Sequence, residues 1–198
     1  TASDTLDVTS PGFFFNTAAA PASSNNTQQA WELGLKHQFD TRWSGYARAG
    51  RSYRFANVDE IYGTDAAFNA QFHMLRPQHQ TTQEVGAEWR AGAGSLRAAL
   101  FHTDITDEIH LDPFTPGVGN TNLPPSRRQG LELNGAWQAA ASLRLTAGYA
   151  YTDAGFTEGA FAGAFPPFVN VPIGGKYVPL VPQNKLNMGF VWTAAPRT

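Results

Sequence analysis

The sequence of 198 residues contains no cysteine, which excludes a disulfide scaffold and a thiolate metal site. It also lacks any apolar run near the roughly 20 residues that a membrane-spanning helix needs, so a helical membrane protein is excluded. Charge is sparse and almost balanced, because 15% of the residues are charged and the formal net charge is -2. This balance gives no electrostatic reason to expect a nucleic-acid partner.

What the sequence has instead is an alternation of apolar and polar residues with a period of two, which is the period of a β-strand. In residues 27–39, Trp31, Leu33, Leu35 and Phe39 fall on one face and polar side chains on the other. The pattern recurs in residues 82–90, 130–138, 143–152 and 184–193, less cleanly in 43–55 and 95–112, and an eighth strand is possible in 6–15. The sequence therefore predicts an all-β protein with seven or eight antiparallel strands in a meander.

The connections between these strands alternate in length. Short turns are predicted near residues 40–42, 91–94, 139–141 and 194–197. Long connections, rich in phenylalanine and proline, are predicted near residues 56–80, 113–126 and 153–183. Strands with one apolar and one polar face, joined alternately by short turns and long connections, are typical of an antiparallel transmembrane β-barrel. The wall of such a barrel contacts lipid on one side and water on the other.

The tryptophans give this barrel a direction. Four of the five lie beside the short turns, namely Trp43, Trp89, Trp137 and Trp192. In a membrane barrel they predict an aromatic girdle at the periplasmic side, where turns are short, and the long connections are then extracellular. Trp31, Tyr149 and Tyr151 lie at the opposite strand ends and can form the outer girdle. A soluble β-sandwich with tryptophan in its core is the alternative.

Two hairpin registers follow if outward faces match across each short turn. Around residues 91–94 the rule places Glu88 opposite Arg97 on the inner face, which predicts a cross-strand ion pair. Around the preceding short turn it pairs Phe39 with Trp43 at the level of the proposed girdle.

Residues 46–62 resemble a barrel segment of TonB-dependent outer-membrane receptors that reads roughly Tyr, small, Arg, Gly, Phe, Arg, small, Pro, Asn, followed by Glu and Leu. Here Ala56 stands where the family usually has proline. Residues 75–86 are similar to the family's Leu-Lys-Pro-Glu stretch followed by Glu-Val-Gly, with Gln78 in place of the glutamate. Three more segments match in family order, at residues 99–109, 128–133 and 177–182.

The resemblance implies a bacterial outer-membrane receptor of about 22 strands around an N-terminal plug. It implies uptake of a scarce nutrient chelate, most often a ferric siderophore and also haem, cobalamin or carbohydrate. Outer-membrane lipid and the TonB–ExbB–ExbD energy-coupling system would be its partners. With no signal peptide before Thr1, the chain is expected to be a processed chain or a fragment. With seven or eight strands and no plug-like segment, it is interpreted as an internal piece of such a barrel, from the C-terminal half.

Two other functions stay open at this point. A passive porin-like channel or a structural barrel needs neither plug nor energy coupling, and a soluble β-sandwich binding module is the third possibility. No enzyme, cofactor or metal site is predicted, because the five histidines lack the His-Glu-x-x-His spacing. Asp104, Asp107 and Glu108 are expected to form a solvated acidic patch.

The predicted ligand contacts are basic and aromatic residues of the long connections and the upper inner wall. They are Arg54, Phe72, Arg76, Phe114, Phe165 and Phe168. Arginines attract an anionic chelate, and phenylalanine rings stack on planar ligand groups. The alternative is that these rings only pack the loops against one another, and that Arg127 and Arg128 only satisfy acidic neighbours in the lumen.

Overall fold

A computed structural model describes residues 2–6, 22–64, 69–111, 119–162 and 169–194. In these ranges the strands are β1 (Ala2–Leu6), β2 (Ala22–Asn26), β3 (Trp31–Gln38), β4 (Trp43–Arg54), β5 (Tyr62–Thr64), β6 (Ala70–Phe72), β7 (Gln78–Ala91), β8 (Gly94–Thr106), β9 (Ile109–Leu111), β10 (Asn120–Asn122), β11 (Ser126–Ala140), β12 (Leu143–Phe156), β13 (Ala160–Ala162), β14 (Asn170–Pro172) and β15 (Asn184–Trp192). One short helix, α1 (Val58–Ile61), lies between β4 and β5.

Seven strands form one antiparallel sheet in the order β15-β12-β11-β8-β7-β4-β3. The predicted seven-strand meander is therefore confirmed. Three separate two-stranded sheets, β5–β6, β9–β10 and β13–β14, lie within the long connections. The proposed eighth strand at residues 6–15 falls almost wholly outside the described residues, although β1 just before it pairs with β2 in another two-stranded sheet.

Both predicted registers are confirmed. Glu88 lies opposite Arg97 in the β7–β8 pair. The backbone N–H of Phe39 donates to the carbonyl of Trp43 at 2.9 Å, which continues the β3–β4 register towards the turn. The structure adds a pair that the sequence did not predict, because Trp43 lies directly opposite Trp89 where β4 meets β7.

Several strand limits differ from the prediction. The strands expected to begin at residues 82 and 130 begin at Gln78 and Ser126, and the strand expected to end at residue 152 continues to Phe156. The strand expected at residues 27–39 begins only at Trp31. The strand expected at residues 95–112 ends at Thr106, because Asp107 adopts a left-handed φ of 55° that interrupts the extended chain. The residues that follow form β9, which pairs with β10 outside the main sheet.

The short turns carry their own conformational signals. Gly92 adopts a φ of +50° in the two-residue turn between β7 and β8, a conformation that glycine accepts without steric cost. In the turn after β3, one carboxylate oxygen of Asp40 accepts the backbone N–H of Arg42 at 2.6 Å and of Trp43 at 2.8 Å. These hydrogen bonds hold the pKa of Asp40 below its ordinary range.

The sheet has two chemically different faces. Register and alternation place the large apolar side chains of neighbouring strands on one face, where Leu33, Leu35 and Met188 are 72%, 73% and 76% exposed. We call this the outer face, and the opposite one the inner face. The buried apolar cluster lies instead at the end of the sheet with the long connections, and it consists of Leu123, Ala154, Phe156 and Val178. The seven-stranded sheet is thus a single layer.

On the outer face, successive tryptophans lie progressively nearer the short turns from β7 to β15. Trp43 and Trp89 share one row. Trp137 lies opposite Gly94, two residues nearer the turns than Leu96, which is the partner of Trp89. Trp192 lies two residues beyond Phe190, which occupies the row of Trp137. The row of indoles therefore shifts by two residues for every two strands from β7 to β15.

Candidate functional site

Four polar residues meet on the inner face in what we call the inner-wall cluster: Tyr46, Arg48, Glu84 and Arg97. The buried carboxylate of Glu84 accepts hydrogen bonds from Arg48 Nη2 at 2.6 Å, from Arg97 Nη2 at 3.3 Å and from the Tyr46 hydroxyl. Arg97 also donates to the Tyr46 oxygen at 2.6 Å and lies over the Tyr46 ring, 5.1 Å from its centroid. Glu84 is therefore fully partnered inside the wall.

The predicted ion pair between Glu88 and Arg97 is wrong, although the two residues are opposite one another. Arg97 reaches past Gly86 to Glu84, which lies four residues from Glu88 along β7, and Glu88 is contacted instead by Lys36 at 3.4 Å and by Arg90 at 3.2 Å. Long side chains can thus reach beyond the directly opposite residue. The backbone register therefore does not determine which charges pair.

Gly86 makes the inner-wall cluster possible. A Cβ atom at this position would overlap the ring of Tyr46, which lies directly opposite Gly86 on the neighbouring strand β4. Glycine is thus required here because another side chain needs the space, and not because of an unusual backbone angle.

Arg54, a predicted ligand contact, joins the inner wall to the first long connection. Its Nη1 atom lies 2.6 and 2.8 Å from the carboxylate oxygens of Glu60, and its Nη2 atom donates to the carbonyl of Ile109 at 3.2 Å. Glu60 and Asn57 form a reciprocal capping box on α1. Desolvation raises the pKa of Glu60, but hydrogen bonds from Arg54 and from the Asn57 amide outweigh it, so the net pKa lies below the ordinary range.

Arg76, a second predicted contact, joins the first long connection to the second. Arg76 Nε donates to Asp107 Oδ1 at 2.8 Å, and the hydrogen bond and charge of Asp107 raise the pKa of Arg76. The Asn122 side chain accepts the Arg76 amide at 2.8 Å and donates to the carbonyls of Arg76 and Asp107, each at 2.9 Å. The Asn122 side chain thus joins the first long connection to the second by hydrogen bonds.

The same interlocking continues into the third long connection. Thr157 N–H donates to the carbonyl of Pro125 at 2.9 Å, and Phe156 N–H donates to Lys176 at 2.9 Å. Gly159, at a φ of +102°, packs so closely on Pro124 that a Cβ atom there would touch the proline ring at 2.5 Å. The described parts of the three connections therefore form one contiguous layer at one end of the sheet, which we call the loop layer.

The acidic residues near the loop layer are ion-paired, so the expectation of a merely solvated acidic patch is wrong. Glu108 receives two hydrogen bonds from Arg128 Nη2, at 2.7 and 2.9 Å. Asp104 accepts from Arg127 Nε at 2.9 Å and contacts His102 at 3.1 Å. Both arginines thus satisfy acidic neighbours, but the Arg127 pair lies on the outer face and only Arg128 is on the inner one.

The remaining predicted contacts are only partly described. The ring of Phe72 packs edge-on against Tyr62, with centroids 5.5 Å apart, in the hairpin of β5 and β6. Phe114, Phe165 and Phe168 lie outside the described residues. Nowhere in the described ranges do three His, Cys, Asp or Glu side chains meet in a way that could hold a metal ion. No helix in that part of the chain is long and apolar enough to cross a membrane.

Sequence reasoning missed Tyr46 and Asn122. Tyr46 shares the even-numbered face of its strand with Arg48 and Arg54, so alternation alone could have placed it on the inner wall. Nothing in the sequence marks Asn122, because its role depends on two connections that meet only in the folded chain.

Comparison with curated proteins gives relatives that are named as receptors. The chain is 23% identical over 185 residues to the probable TonB-dependent siderophore receptor PiuA of Acinetobacter baumannii, covering 91% of this chain and 24% of that one. It is 29% identical over 154 residues to the metal-pseudopaline receptor CntO of Pseudomonas aeruginosa, covering 76% of this chain and 20% of the relative. The chain thus spans about a quarter or less of the length of these curated relatives.

Solved structures show the same fold. The ferric yersiniabactin uptake receptor FyuA of Yersinia pestis superposes with a TM-score of 0.64 at 17% identity, over 86% of this chain and 24% of that one. The sequence model of the family described as TonB dependent receptor-like, beta-barrel matches residues 3–197. The chain therefore belongs to the TonB-dependent receptor family, whose members are receptors and transporters and not enzymes.

Proposed function

We propose that this chain is part of the barrel wall of a bacterial outer-membrane receptor that takes up a metal chelate of the ferric-siderophore type in a TonB-dependent way. The observation that carries the proposal is the two-faced sheet. Away from the Arg127–Asp104 pair at the loop end, its outer face carries exposed apolar side chains, and its inner face carries charged residues that are paired with one another. A wall between lipid and an aqueous lumen needs this arrangement.

The different lengths of the connections at the two ends of the sheet support an orientation. We infer that the short turns face the periplasm, with Trp43, Trp89, Trp137 and Trp192 as the interfacial girdle at that side. The loop layer then faces the outside, where a nutrient arrives. Such an orientation places the interlocked connections where long loops of outer-membrane barrels catch their ligands.

The proposed cargo is a small chelator loaded with metal. PiuA is named as a siderophore receptor and CntO as a metal-pseudopaline receptor, so the two relatives share metal chelates as cargo. In this chain, Arg76 supports the proposal because its side chain is 70% exposed in the loop layer while remaining fixed by Asp107. A fixed and accessible guanidinium suits an anionic chelate. Arg54 and Phe72 are further proposed contacts.

Energy coupling is part of the same proposal. Within the described ranges, β3 and β15 each pair with one strand only, so we infer that further strands close the barrel between them. We expect the contact with the TonB–ExbB–ExbD system to be made by a segment other than this one. A passive porin-like channel remains the competing function, and it predicts transport that does not need this system.

Growth of a deletion strain tests the proposal. The strain is complemented with the full-length receptor, starved of iron, and supplied with single ferric siderophores, with metal–pseudopaline or with cobalamin. We expect rescue by a metal chelate and loss of that rescue when tonB is deleted as well. Uptake of radiolabelled metal gives the direct measurement.

A matched pair of variants addresses the loop layer. Arg76→Gln should reduce chelate uptake, whereas Arg42→Gln, on the short-turn side, should leave it unchanged. Rescue that persists without tonB would favour the porin-like channel, and absence of the protein from the outer-membrane fraction would contradict the proposal altogether.

A further inference from the structure

Small residues open a groove on the outer face along β4. We call it the β4 groove. It has a volume of about 300 Å³, and its lining residues on this face are Leu33, Leu35, Ala47, Ala49, Gln83 and Val85. The two alanines form the floor, and the side chains of β3 and β7 form the walls. Because neighbouring strands lie about 4.8 Å apart, these walls are about 10 Å apart, which admits one hydrocarbon chain.

A basic residue lies at the end of the β4 groove that is nearer the loop layer, and it is on the same face. Arg51 follows Ala49 by two residues on β4, and side chains two residues apart in a strand point to the same side. The registers agree, since Arg51 lies directly opposite Trp31 on β3 and Thr81 on β7, both of which also belong to the outer face. The guanidinium is therefore reached from the groove without crossing the sheet.

The charge of Arg51 is not neutralised by a neighbour. Its side chain is exposed, and within the described ranges no carboxylate pairs with it. In that part of the chain its one polar contact runs from Nη2 to Nδ1 of His79 at 3.5 Å, the outer limit of a hydrogen bond. Asp104 lies in the same row two strands away, but its carboxylate is already bound by Arg127 and His102. Arg51 therefore has a charge available for an anionic ligand.

The spacing along the strands places Arg51 at the edge of the apolar band. On β4 it is the first polar residue of the outer face after Trp43, and it lies eight residues beyond it. The same interval separates the girdle tryptophan from the first polar residue of this face on two other strands, Trp137 from Gln129 on β11 and Trp192 from Asn184 on β15. The interval spans about 27 Å along a strand, or about 21 Å along the membrane normal at the usual tilt of barrel strands. Outer-membrane barrels have an apolar band of about 25 Å, so the proposed orientation places Arg51 at head-group level.

We propose that the β4 groove and Arg51 together bind one phosphate-bearing lipid of the outer leaflet, with an acyl chain between Leu33 and Val85 and a phosphate at Arg51. The inference rests on the proposed membrane orientation. Such a lipid supplies both parts in the observed order, hydrocarbon within the apolar band and an anion at its edge. A free anion would make no use of the groove, and an uncharged lipid would leave the guanidinium without a counter-ion.

Native mass spectrometry of the full-length receptor tests the proposal. The purified protein is titrated with diphosphoryl lipid A and, separately, with the same lipid after removal of its phosphates. We expect the wild type to retain one phosphorylated lipid in preference to the dephosphorylated one. Arg51→Gln should weaken binding of the phosphorylated lipid alone by about fivefold, the upper end for one exposed ion pair, and Arg51→Lys should retain most of it. Ala47→Leu, which fills the floor of the groove, should weaken binding of both lipids.

Two control variants match these substitutions. Arg144→Gln removes an exposed arginine from the inner face, and Ala147→Leu adds the same side chain to the outer face four strands away from β4. Both should bind lipid as the wild type does, and heat-modifiable mobility shows whether each variant has folded.

Three results overturn the proposal. They are equal loss in variants and controls, no loss in Arg51→Gln, and loss in Arg51→Gln without any loss in Ala47→Leu. A dimer that dissociates in Ala47→Leu without a change in lipid binding would identify a second copy as the occupant and would overturn it as well. Localisation and chelate-dependent growth are scored separately, so the proposed uptake function stands or falls on its own.

Discussion

The two faces of the main sheet differ more than any two segments of the chain, although consecutive residues form them. On the outer face, Leu33 and Leu35 are more than two thirds exposed and touch no second layer. On the inner face, the carboxylate of Glu84 is buried and has three partners. Apolar groups are exposed on one face, and the central carboxylate is covered on the other.

This difference between the faces is the one that the proposed membrane location predicts. In water, a continuous apolar face of this size would favour aggregation. Against hydrocarbon, the same side chains need no covering layer, whereas unpaired charges would be costly. The difference between the faces therefore indicates two different solvents, and substitutions that exchange their chemistry test it.

The largest effect is expected from a charge on the outer face. Leu35→Arg should cost about 2–4 kcal/mol if this position lies near the bilayer midplane. We expect a smaller folded fraction of the full-length receptor in the outer membrane, measured by the heat-modifiable mobility of unboiled samples. Lys36→Arg, one residue further on and on the inner face, is the matched control and should fold normally. Equal behaviour of the two variants would show that the faces do not differ in their solvent.

A smaller effect is expected where the inner face is tightly packed. Gly86→Val should displace the Tyr46 ring and destabilise the receptor by about 1–3 kcal/mol, the usual cost of overpacking. Gly34→Val is the control on the same face, because the nearest atom to a new Cβ there is 4.0 Å away. Thermal unfolding followed by circular dichroism should show a lower midpoint for Gly86→Val only, and Tyr46→Ala should restore much of it.

The smallest effect is expected at the loop end of the inner face, from pH. Because the folded-state pKa of Glu60 is depressed, its contribution is complete above the ordinary glutamate pKa and is lost as the pH falls through the folded-state value. Arg54 and Glu60 are partly exposed, so this contribution is modest.

Hydrogen exchange of the α1 amides provides the measurement. Protection of the Glu60 amide should decline as the pH is lowered below the ordinary glutamate pKa, after correction for intrinsic exchange. Glu60→Gln should abolish this pH dependence, whereas Asp59→Asn, outside the capping box, should retain it. An identical pH profile in wild type and Glu60→Gln would show that the Arg54 pair does not stabilise the helix.

The strands and registers were predictable because a period of two is a local signal. The alternation around Trp31 and around Trp89 assigned both faces correctly, and matching those faces placed Glu88 opposite Arg97. The limits failed where a single backbone angle intervened, as at Asp107. Hairpins of three-residue strands, such as β5–β6, are too short for alternation to be recognised.

The polar contacts were less predictable because they involve three or more segments. Arg97 and Glu84 come from β8 and β7, and Tyr46 from β4 is hydrogen-bonded to both of them. Arg54 was predicted to be a ligand contact from its charge, but its partners Glu60 and Ile109 come from two different connections. Side-chain reach and the meeting of distant segments are properties of the assembled wall, and no single stretch of sequence contains them.

The stepped row of indoles has a geometric consequence. Trp89, Trp137 and Trp192 shift by two residues for every two strands, which is about 7 Å along the chain for about 10 Å across it at ordinary strand spacings. In the proposed membrane orientation, a membrane surface drawn through these side chains crosses the strands obliquely, and the strands lean about 35° from its normal. Closed barrels require a lean of this size. The positions of these three tryptophans thus match the strand tilt at which a sheet closes into a barrel.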